Sequence, residues 1–448
     1  MSTDRRDGLI ALIVFAVALW VNLAAVPTTE FHRDEPRWIH RARFVGELTD
    51  PTGPYWRSRE LMWGQPPLGS YITGWGLLAQ GRDILTNDLY NFHYGEAWNR
   101  RHGTMPDERD LLAARRTNSV VGALLAVGVY FIARGLGGRV AGLVAAVMLI
   151  PHPLAIYLSS LAGSDAALGL ALAGVTLAAM ALADRPTWPR AVLLGVLLGL
   201  GAAIKLSPLP MTLPFVGLGL VLLWQAWRAA GPDQARARAR SAAIGWKLLP
   251  LPAVAFATFV ATFPYLWPDP IGRTLVLFRF RAKEMFNQGE IWPELNVNGP
   301  VDALSRVGNW FGDLDSTTGR LGSLLAWSAG VDWQPNGIDL PLALVGALLL
   351  AAATIRHGLA SRQAMAALVL GSQVGLVVVG MRADFARYLL PVLTAQAVCI
   401  GLAAGGGWDL LRVALTRPGV DPLADPEPER EAVESFGGRG APVAGARG

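Results

Sequence analysis

The feature that most constrains this chain is a series of long apolar stretches joined by short polar connections. About 20 apolar residues suffice to cross the hydrocarbon core of a bilayer as a helix. Helices satisfy all their backbone hydrogen bonds internally, as a bilayer requires. Hydrophobic residues make up 52% of the chain and charged residues 16%, whereas a soluble domain carries about 25% charged residues. The sequence therefore predicts an all-α, multi-pass integral membrane protein.

We predict about ten membrane-spanning helices. The first covers residues 8–26 and follows Arg5 and Arg6. A cleaved signal peptide is the alternative, but the stretch is long for one and no clear cleavage motif follows it. The other nine cover residues 119–133, 140–158, 166–183, 191–204, 209–227, 248–266, 340–355, 364–380 and 388–404.

Basic residues collect in the connections on one side of these spans. They are Arg134, Arg139, Arg185, Arg190, Arg228, Arg236, Arg238, Arg240, Lys247, Arg356 and Arg362. Such connections face the cytoplasm, so we predict a plasma (inner) membrane protein with both termini cytoplasmic. Residues 1–415 then form one membrane domain, and residues 416–448, rich in proline, glycine and charge, are predicted to be a disordered cytoplasmic tail.

Two long segments, residues 27–118 and 267–339, fall on the opposite, extracytoplasmic side. Residues 27–116 contain twelve acidic and twelve basic residues, too polar and too long for a passive connection. We expect both segments to carry amphipathic helices on the membrane surface and to hold the functional residues.

Several classes of site are disfavoured. The net charge of +5 comes from scattered residues without aromatic interleaving, which argues against nucleic-acid binding. A single cysteine excludes a disulfide framework and multi-cysteine zinc or iron–sulfur sites. The six histidines form no zinc motif. We therefore predict no cofactor and no metal, although a divalent cation at paired carboxylates stays open.

A charged cluster at residues 32–37 follows the first span directly. Asp34 and Glu35 precede a proline, which suits the first turn of a helix with an acidic N-cap. In one interpretation, one carboxylate caps this helix and the other pairs with Arg33 or Arg37. In the other, a carboxylate acts as a general base beside basic groups that hold an anionic substrate.

Other polar residues lie at predicted outer ends of spans. Residues 63–71 open a short apolar helix that reaches about Ala79. Asp165 lies between the third and fourth spans, either as an N-cap or as a site residue. For Lys205, Arg382 and Arg387 the alternatives are phosphate binding and snorkelling towards lipid headgroups.

The order of these elements resembles the GT-C superfamily of membrane glycosyltransferases. The similarity is to the branch of protein O-mannosyltransferases and bacterial aminoarabinose transferases acting on lipid A. That branch has an Asp-Glu pair opening its first outer loop, which Asp34-Glu35 matches. Its Lys-Pro-Pro-Leu turn is similar to residues 65–68, except that Gln65 replaces the lysine.

Three further positions extend the resemblance over most of residues 1–400. Asp165 looks like the aspartate of a short outer loop, and Lys205 like a lysine that follows a glycine-rich stretch. Residues 387–391 are similar to an Arg-Tyr-Leu-x-Pro element.

The resemblance implies transfer of a sugar from a polyprenyl-phosphate donor to an acceptor hydroxyl of a glycan, lipid or protein. The reaction would take place outside the cytoplasmic membrane and invert the anomeric centre, with Asp34 as general base and Glu35 orienting it. The substrate-binding residues would be Gln65, Pro66, Asp165, Lys205, Arg382, Arg387 and Tyr388. The change at Gln65 leaves open how the donor phosphate is held there.

Two alternatives to an enzyme remain. A transporter or lipid flippase favours paired ionisable residues within spans and an inverted repeat, neither of which the sequence shows. A non-catalytic assembly protein on the same scaffold is the other. Polar and aromatic residues of the second outer segment suit sugar or acceptor binding without diagnostic spacing: Trp267, Asp269, Arg279, Arg281, Trp292, Glu294, Asn296, Asn298 and Trp310.

Overall fold

A computed structural model describes residues 4–229, 234–312 and 337–416 of the chain. Within these ranges the regular secondary structure is helical, and extended backbone pairs in one isolated bridge. The predicted all-α membrane architecture is confirmed. The predicted disordered tail beyond residue 416 and residues 313–336 of the second outer segment lie outside the described residues. The chain divides by its contacts after Trp408, and the contacts and cavities given below lie in the part before that division.

The described ranges contain eighteen α-helices. They are α1 (Arg5–Ala25), α2 (Glu35–His40), α3 (Phe44–Glu47), α4 (Arg59–Met62), α5 (Leu68–Ala79), α6 (Glu96–Arg101), α7 (Glu108–Leu149), α8 (Pro153–Ser160), α9 (Asp165–Asp184), α10 (Trp188–Ile204), α11 (Thr212–Arg228), α12 (Ala235–Leu248), α13 (Leu251–Ala261), α14 (Pro270–Ile291), α15 (Pro300–Gly312), α16 (Asp339–His357), α17 (Arg362–Gly380) and α18 (Leu390–Thr416).

By length and hydropathy, seven helical stretches among the described residues can cross a membrane. These are α1, α7, α9, the continuous stretch Ala235–Ala261, α16, α17 and most of α18. The apolar helix α10 is shorter, at 17 residues. The figure of ten spans therefore stays a prediction. As expected, the two outer segments carry helices of their own: α2 to α6 in the first, and α14 and α15 in the second.

Helix α7 is really a helical hairpin. Its backbone leaves helical geometry at Gly137 and Gly138, and Gly138 has a φ of +84°, which favours glycine. A Cβ at Gly142 would lie 2.9 Å from the Tyr130 ring, so the two arms pack closely. This turn separates the second and third predicted spans.

A buried aspartate joins α1 to this hairpin. Asp7 is fully buried and forms ion pairs with Arg134 and with Arg139, the latter at 2.8 Å. Nearby, Arg362 of α17 pairs with Asp184 at the end of α9 at 2.9 Å. These contacts lie at one end of the helix bundle, which we call the Asp7 end. The opposite end is called the Asp34 end.

The sequence predicts the seventh span over residues 248–266. Helix α13 begins at Leu251, close to that boundary, but the apolar helical stretch that contains it begins at Ala235, in a segment predicted to be a loop. Helix α12 in that segment carries three arginines. The alternating Ala-Arg sequence depresses local hydropathy and hides the helix. Packing against α11 explains the helix, because a Cβ at Gly219 would lie 3.1 Å from the Gly245 carbonyl oxygen.

Helices α16 and α18 approach so closely that a glycine is required. A Cβ at Gly346 would lie 1.7 Å from the carbonyl oxygen of Cys399. We expect Gly346→Ala to destabilise the fold by about 1–3 kcal/mol, because the helices must separate to accept the methyl group. Thermal unfolding in detergent measures this effect. Gly375→Ala in α17 is the control, since a Cβ there meets nothing within 4 Å; equal midpoints for the two variants would contradict the prediction.

Candidate active site

Glu35 is the anchor of the first outer segment. It is 1% exposed, and its carboxylate forms an ion pair with Arg115 of α7 at 2.7 Å. It also accepts hydrogen bonds from the backbone N–H groups of His32 (3.0 Å) and Ala162 (2.9 Å). Arg115 in turn donates to the carbonyl oxygens of Val26, Thr29 and Glu30. This network ties the end of α1, the start of α7 and the α8–α9 connection to the residue next to Asp34.

Asp34 faces a different partner. Its carboxylate pairs with Arg387, more than 350 positions away, and lies 3.9 Å from Nδ1 of His32. Neither carboxylate caps α2, because this helix has no side-chain cap. The ion pairs of Glu35 and Asp34 are with Arg115 and Arg387, which are distant in the chain.

The charge state of Asp34 is set by opposing effects. Burial raises the pKa of its carboxyl, but the charges of Arg387, His32 and Arg37 and the hydrogen bond from Arg387 together lower it by more. The pKa of Asp34 therefore lies below its usual range, and the group is a carboxylate at neutral pH. The side chain remains 35% exposed, so a ligand can reach it.

Arg387 is held by a loop that packs against the second outer segment. It lies in a 3₁₀ turn, Ala386–Tyr388, just before α18. The preceding strand-like residues pair with that segment through Val297 N–H to the Arg382 carbonyl (3.0 Å) and Asp384 N–H to the Leu295 carbonyl (2.8 Å). The guanidinium of Arg387 lies 5.0 Å from the centre of the Phe385 ring. The loop therefore fixes the cation against Asp34.

A cavity of about 750 Å³, here called the Asp34 cavity, opens beside this ion pair. Its polar wall includes His32, Asp34 and Asp165, and its aromatic wall includes Trp38, Tyr157, Trp292 and Phe385. Trp292 and Phe385 meet edge to face with 5.4 Å between ring centres. Carboxylates beside aromatic rings suit a hydroxylated ligand whose ring faces are apolar.

A second cavity of about 330 Å³, here called the Lys205 cavity, is mostly apolar. Its apolar lining includes Leu168, Leu172, Met211, Leu376, Val377 and Met381. Three cations, Lys205, Arg281 and Arg387, also line it. Lys205 forms an ion pair with Asp165, which lines the Asp34 cavity, and Arg387 lines both cavities. The two cavities therefore share a charged border.

The Gln65-Pro66 turn forms part of the Lys205 cavity. The carbonyl oxygens of both residues accept hydrogen bonds from Nη2 of Arg41. Arg41 is fully buried, and burial lowers its pKa to about 9. Helix α5 starts two residues later, so Arg41 fixes the turn that brings Gln65 to the cavity.

The structure brings most of the residues predicted for the site together. Asp34, Glu35, Asp165 and Arg387 line the Asp34 cavity; Gln65, Pro66, Lys205, Arg387 and Tyr388 line the Lys205 cavity. Asp165 is not an N-cap, because α9 begins at Asp165 itself and its cap position is Ser164. Snorkelling does not describe Lys205 or Arg387, since each is paired with a carboxylate.

Arg382 lies apart from this group. Its guanidinium lies 5.3 Å from the centre of the Phe286 ring, and it lines neither cavity.

Sequence reasoning missed three residues that shape the site. Arg115 had no distinguishing signal among many arginines. Tyr157 lies at the start of a short connection, and nothing in its sequence context indicated a role in the site. Gln373 is 3% exposed and lines the Lys205 cavity with both amide atoms unpartnered; a lone amide within an apolar span was the available signal. Among the residues that the structure describes, no group of three or more histidine, cysteine or acidic side chains is placed to hold a metal ion.

The family of this chain is identified by a match over half of its sequence. Residues 41–264 match the profile of the dolichyl-phosphate-mannose-protein mannosyltransferases. The chain belongs to this family. The match includes the Gln65-Pro66 turn, Asp165 and Lys205, while Asp34 and Arg387 lie outside it.

The chain is also similar to solved membrane proteins. One is the apo oligosaccharyltransferase of Archaeoglobus fulgidus, with 13% identity, a TM-score of 0.49, and coverage of 90% of this chain and 51% of the other. Another is ArnT from Cupriavidus metallidurans bound to undecaprenyl phosphate, with 17% identity, a TM-score of 0.46, and coverage of 91% and 63%. The chain thus spans between half and two thirds of the length of these proteins. No curated protein sequence matches it.

Proposed function

We propose that this mannosyltransferase-family protein transfers a sugar from a polyprenyl-phosphate donor to an acceptor hydroxyl. Family membership supports the reaction class, because the family is named for a lipid-phosphate-linked mannose donor and a protein acceptor. One observation supports the assignment of roles most strongly: Arg387 borders both cavities and pairs with Asp34. A phosphate held by this cation lies next to the carboxylate that activates the acceptor.

The donor occupies the Lys205 cavity in this proposal. Its apolar wall, formed mainly by helices α9, α14 and α17, suits a prenyl chain within the bilayer. Lys205, Arg281 and Arg387 also line this cavity and would contact the donor phosphate. Cations stabilise the negative charge that develops on the phosphate as its bond to the sugar breaks. Gln373 has unpartnered amide atoms that can hydrogen-bond a polar group of the lipid head.

Lys205→Met is expected to raise the KM for the lipid-phosphate donor about tenfold, because it removes one charge-assisted contact with the phosphate. Steady-state transfer with varied donor concentration measures it. Lys283→Met in α14 is a matched control, since Lys283 is exposed and does not line this cavity. An unchanged KM in Lys205→Met would place the donor elsewhere.

The acceptor occupies the Asp34 cavity and loses its proton to Asp34. A positioned carboxylate within hydrogen-bond reach of a hydroxyl acts as a general base. The acceptor oxygen then forms a bond to the anomeric carbon while the bond from that carbon to the phosphate oxygen breaks. The bonding electrons leave with the phosphate, next to Lys205 and Arg387. A single displacement of this kind inverts the anomeric centre. The acceptor is a glycan, lipid or protein hydroxyl.

The Asp34–Arg387 pair couples donor binding to base strength. Arg387 is the main cause that lowers the pKa of Asp34 against the effect of burial. A donor phosphate that shares the Arg387 guanidinium adds a negative charge and withdraws part of this stabilisation. The pKa of Asp34 then rises, and the carboxylate becomes a better proton acceptor only when the donor is in place.

Arg387→Met is expected to shift the acid limb of the pH–rate profile to higher pH. Without the guanidinium, burial raises the pKa of Asp34, so the carboxylate is protonated and inactive over a wider acidic range. The dependence of kcat/KM on pH measures this shift. Arg382→Met removes the same charge outside both cavities and should leave the acid limb in place. Coincident limbs in wild type and Arg387→Met would show that Arg387 does not control the base.

We propose that the Asp34 end faces the outside of the plasma (inner) membrane. Basic residues Arg134, Arg139, Arg190 and Arg362 gather at the Asp7 end, and connections rich in arginine face the cytoplasm. Helix α1 begins at that end, so the N-terminus is cytoplasmic in this orientation. Transfer then takes place on the extracytoplasmic side.

A further inference from the structure

We propose that the Asp7 end contains a binding site for the phosphate group of an anionic phospholipid. A cavity of about 720 Å³ opens there between the ends of α9 and α16, the start of α17, and the adjacent ends of α11 and α12. Arg185, Arg240, Arg362, Asp184 and Gln225 line it. Helix α9 has Asp165 at one end and Asp184 at the other, so about 30 Å separate this cavity from the Asp34 cavity.

The cavity carries uncompensated positive charge. Asp184 is its acidic lining residue, and it pairs with Arg362 at 2.9 Å. Arg240 donates one hydrogen bond to the Ala183 carbonyl oxygen, a neutral acceptor, at 2.8 Å. Arg185 is exposed, and its guanidinium forms no hydrogen bond or ion pair with the residues that the structure describes. Two guanidinium groups therefore remain for an anion, and phosphate oxygens match their forked geometry.

Exposed tryptophans place the cavity at the depth of lipid headgroups. Four lie at this end of the bundle: Trp188 (53% exposed), Trp224 (49%), Trp227 (77%) and Trp246 (60%). Gln225, which lines the cavity, lies between two of them in sequence. Tryptophans of membrane proteins concentrate at the boundary between hydrocarbon and headgroups. The observation favours a lipid phosphate as the occupant over a phosphate dissolved in water.

Two of these four tryptophans also have a cation over their rings. The Arg228 guanidinium lies 4.1 Å from the centre of the Trp224 ring, and the Lys247 ammonium lies 5.1 Å from that of Trp188. These two cations have aromatic partners, whereas Arg185 and Arg240 line the cavity without an ion pair to a carboxylate among the described residues. The bound headgroup would join α9, α12 and α17 and stabilise the protein. The inference does not depend on the proposed transfer reaction.

The test is thermal unfolding of the purified full-length protein in detergent, titrated with phosphatidylglycerol or with phosphatidylcholine. We expect phosphatidylglycerol alone to raise the midpoint. Its apparent affinity should fall about tenfold in the double variant R185A/R240A. The matched control R236A/R238A removes the same charge from exposed positions of α12 that do not line the cavity, and should change the affinity less than about twofold. Arg185→Ala alone, at an exposed residue, should show a reduced affinity with unchanged lipid-free stability.

Three results would overturn the proposal. Equal losses of affinity in the two double variants would show only general attraction to a basic surface. Equal stabilisation by the two lipids would exclude recognition of the anionic headgroup. Stabilisation by inorganic phosphate at the same concentration as the lipid would identify a site for free phosphate instead.

Discussion

Asp34→Asn is expected to lower the rate of sugar transfer about a hundred- to ten-thousandfold, with little change in the amount of folded protein. An amide cannot take the acceptor proton, and general-base catalysis contributes a factor of this size. The substitution preserves the shape of the side chain, and its partner Arg387 remains partly exposed to solvent. Initial rates of transfer at matched protein concentration measure the effect.

The matched control is Asp50→Asn. Asp50 is an exposed aspartate of the same outer segment that lines neither the Asp34 cavity nor the Lys205 cavity. We expect its rate to equal that of wild type. If Asp34→Asn keeps full activity while Asp165→Asn loses it, the base is Asp165 and the assignment to Asp34 fails.

Arg115→Met is expected to destabilise the protein by about 3–5 kcal/mol. The substitution leaves the Glu35 carboxylate buried without its ion-pair partner, and breaking a buried pair from one side costs this much. It also removes the donor for the carbonyl oxygens of Val26, Thr29 and Glu30, which close the connection after α1. Thermal or denaturant unfolding in detergent measures the loss.

Arg116→Met provides a neighbouring control, because Arg116 follows Arg115 in the same helix and is exposed. It should change stability by less than about 0.5 kcal/mol. In the double variant Glu35→Gln/Arg115→Met, the loss should be smaller than the sum of the two single losses, since both remove one interaction. Additive losses, or equal stability of Arg115→Met and Arg116→Met, would contradict the anchoring role of Glu35.

The sequence allowed the helical architecture to be predicted because bilayer physics acts on composition and length. The connection between the second and third predicted spans and the helices of the outer segments followed from local pattern in the same way. The start of α12 could not be predicted in this way, because its arginines lower the mean hydropathy of the segment to a value typical of a loop. Packing of Gly245 against Gly219 decides that helix, and packing between distant residues leaves no local pattern.

The candidate site was only partly predictable, for a related reason. Adjacent residues Asp34 and Glu35 look equivalent in sequence, but the fold separates their environments. Glu35 is buried against Arg115, whereas Asp34 faces a cavity and pairs with Arg387. Arg382 and Arg387 had the same predicted role. The loop before α18 directs the first towards Phe286 and the second towards Asp34.

These environments suggest a division of labour. An acid that is buried, paired and saturated with hydrogen bonds holds structure and has no capacity left for a substrate proton. An acid at a cavity wall that keeps one ion pair and is partly exposed can exchange that partner for ligand contacts. We therefore assign positioning to Glu35 and proton transfer to Asp34.

The central claim is that this chain transfers sugar from a lipid-phosphate donor at the Asp34 end. The most direct measurement is transfer of radiolabelled sugar from polyprenyl-phosphate donors, in membranes containing wild-type protein or equal amounts of Asp34→Asn. We predict donor-dependent labelling of an endogenous acceptor by wild type and its loss in the variant. Labelling by both proteins would move the base away from Asp34, and no labelling from any polyprenyl-phosphate donor would contradict the proposed transfer and favour lipid or solute transport.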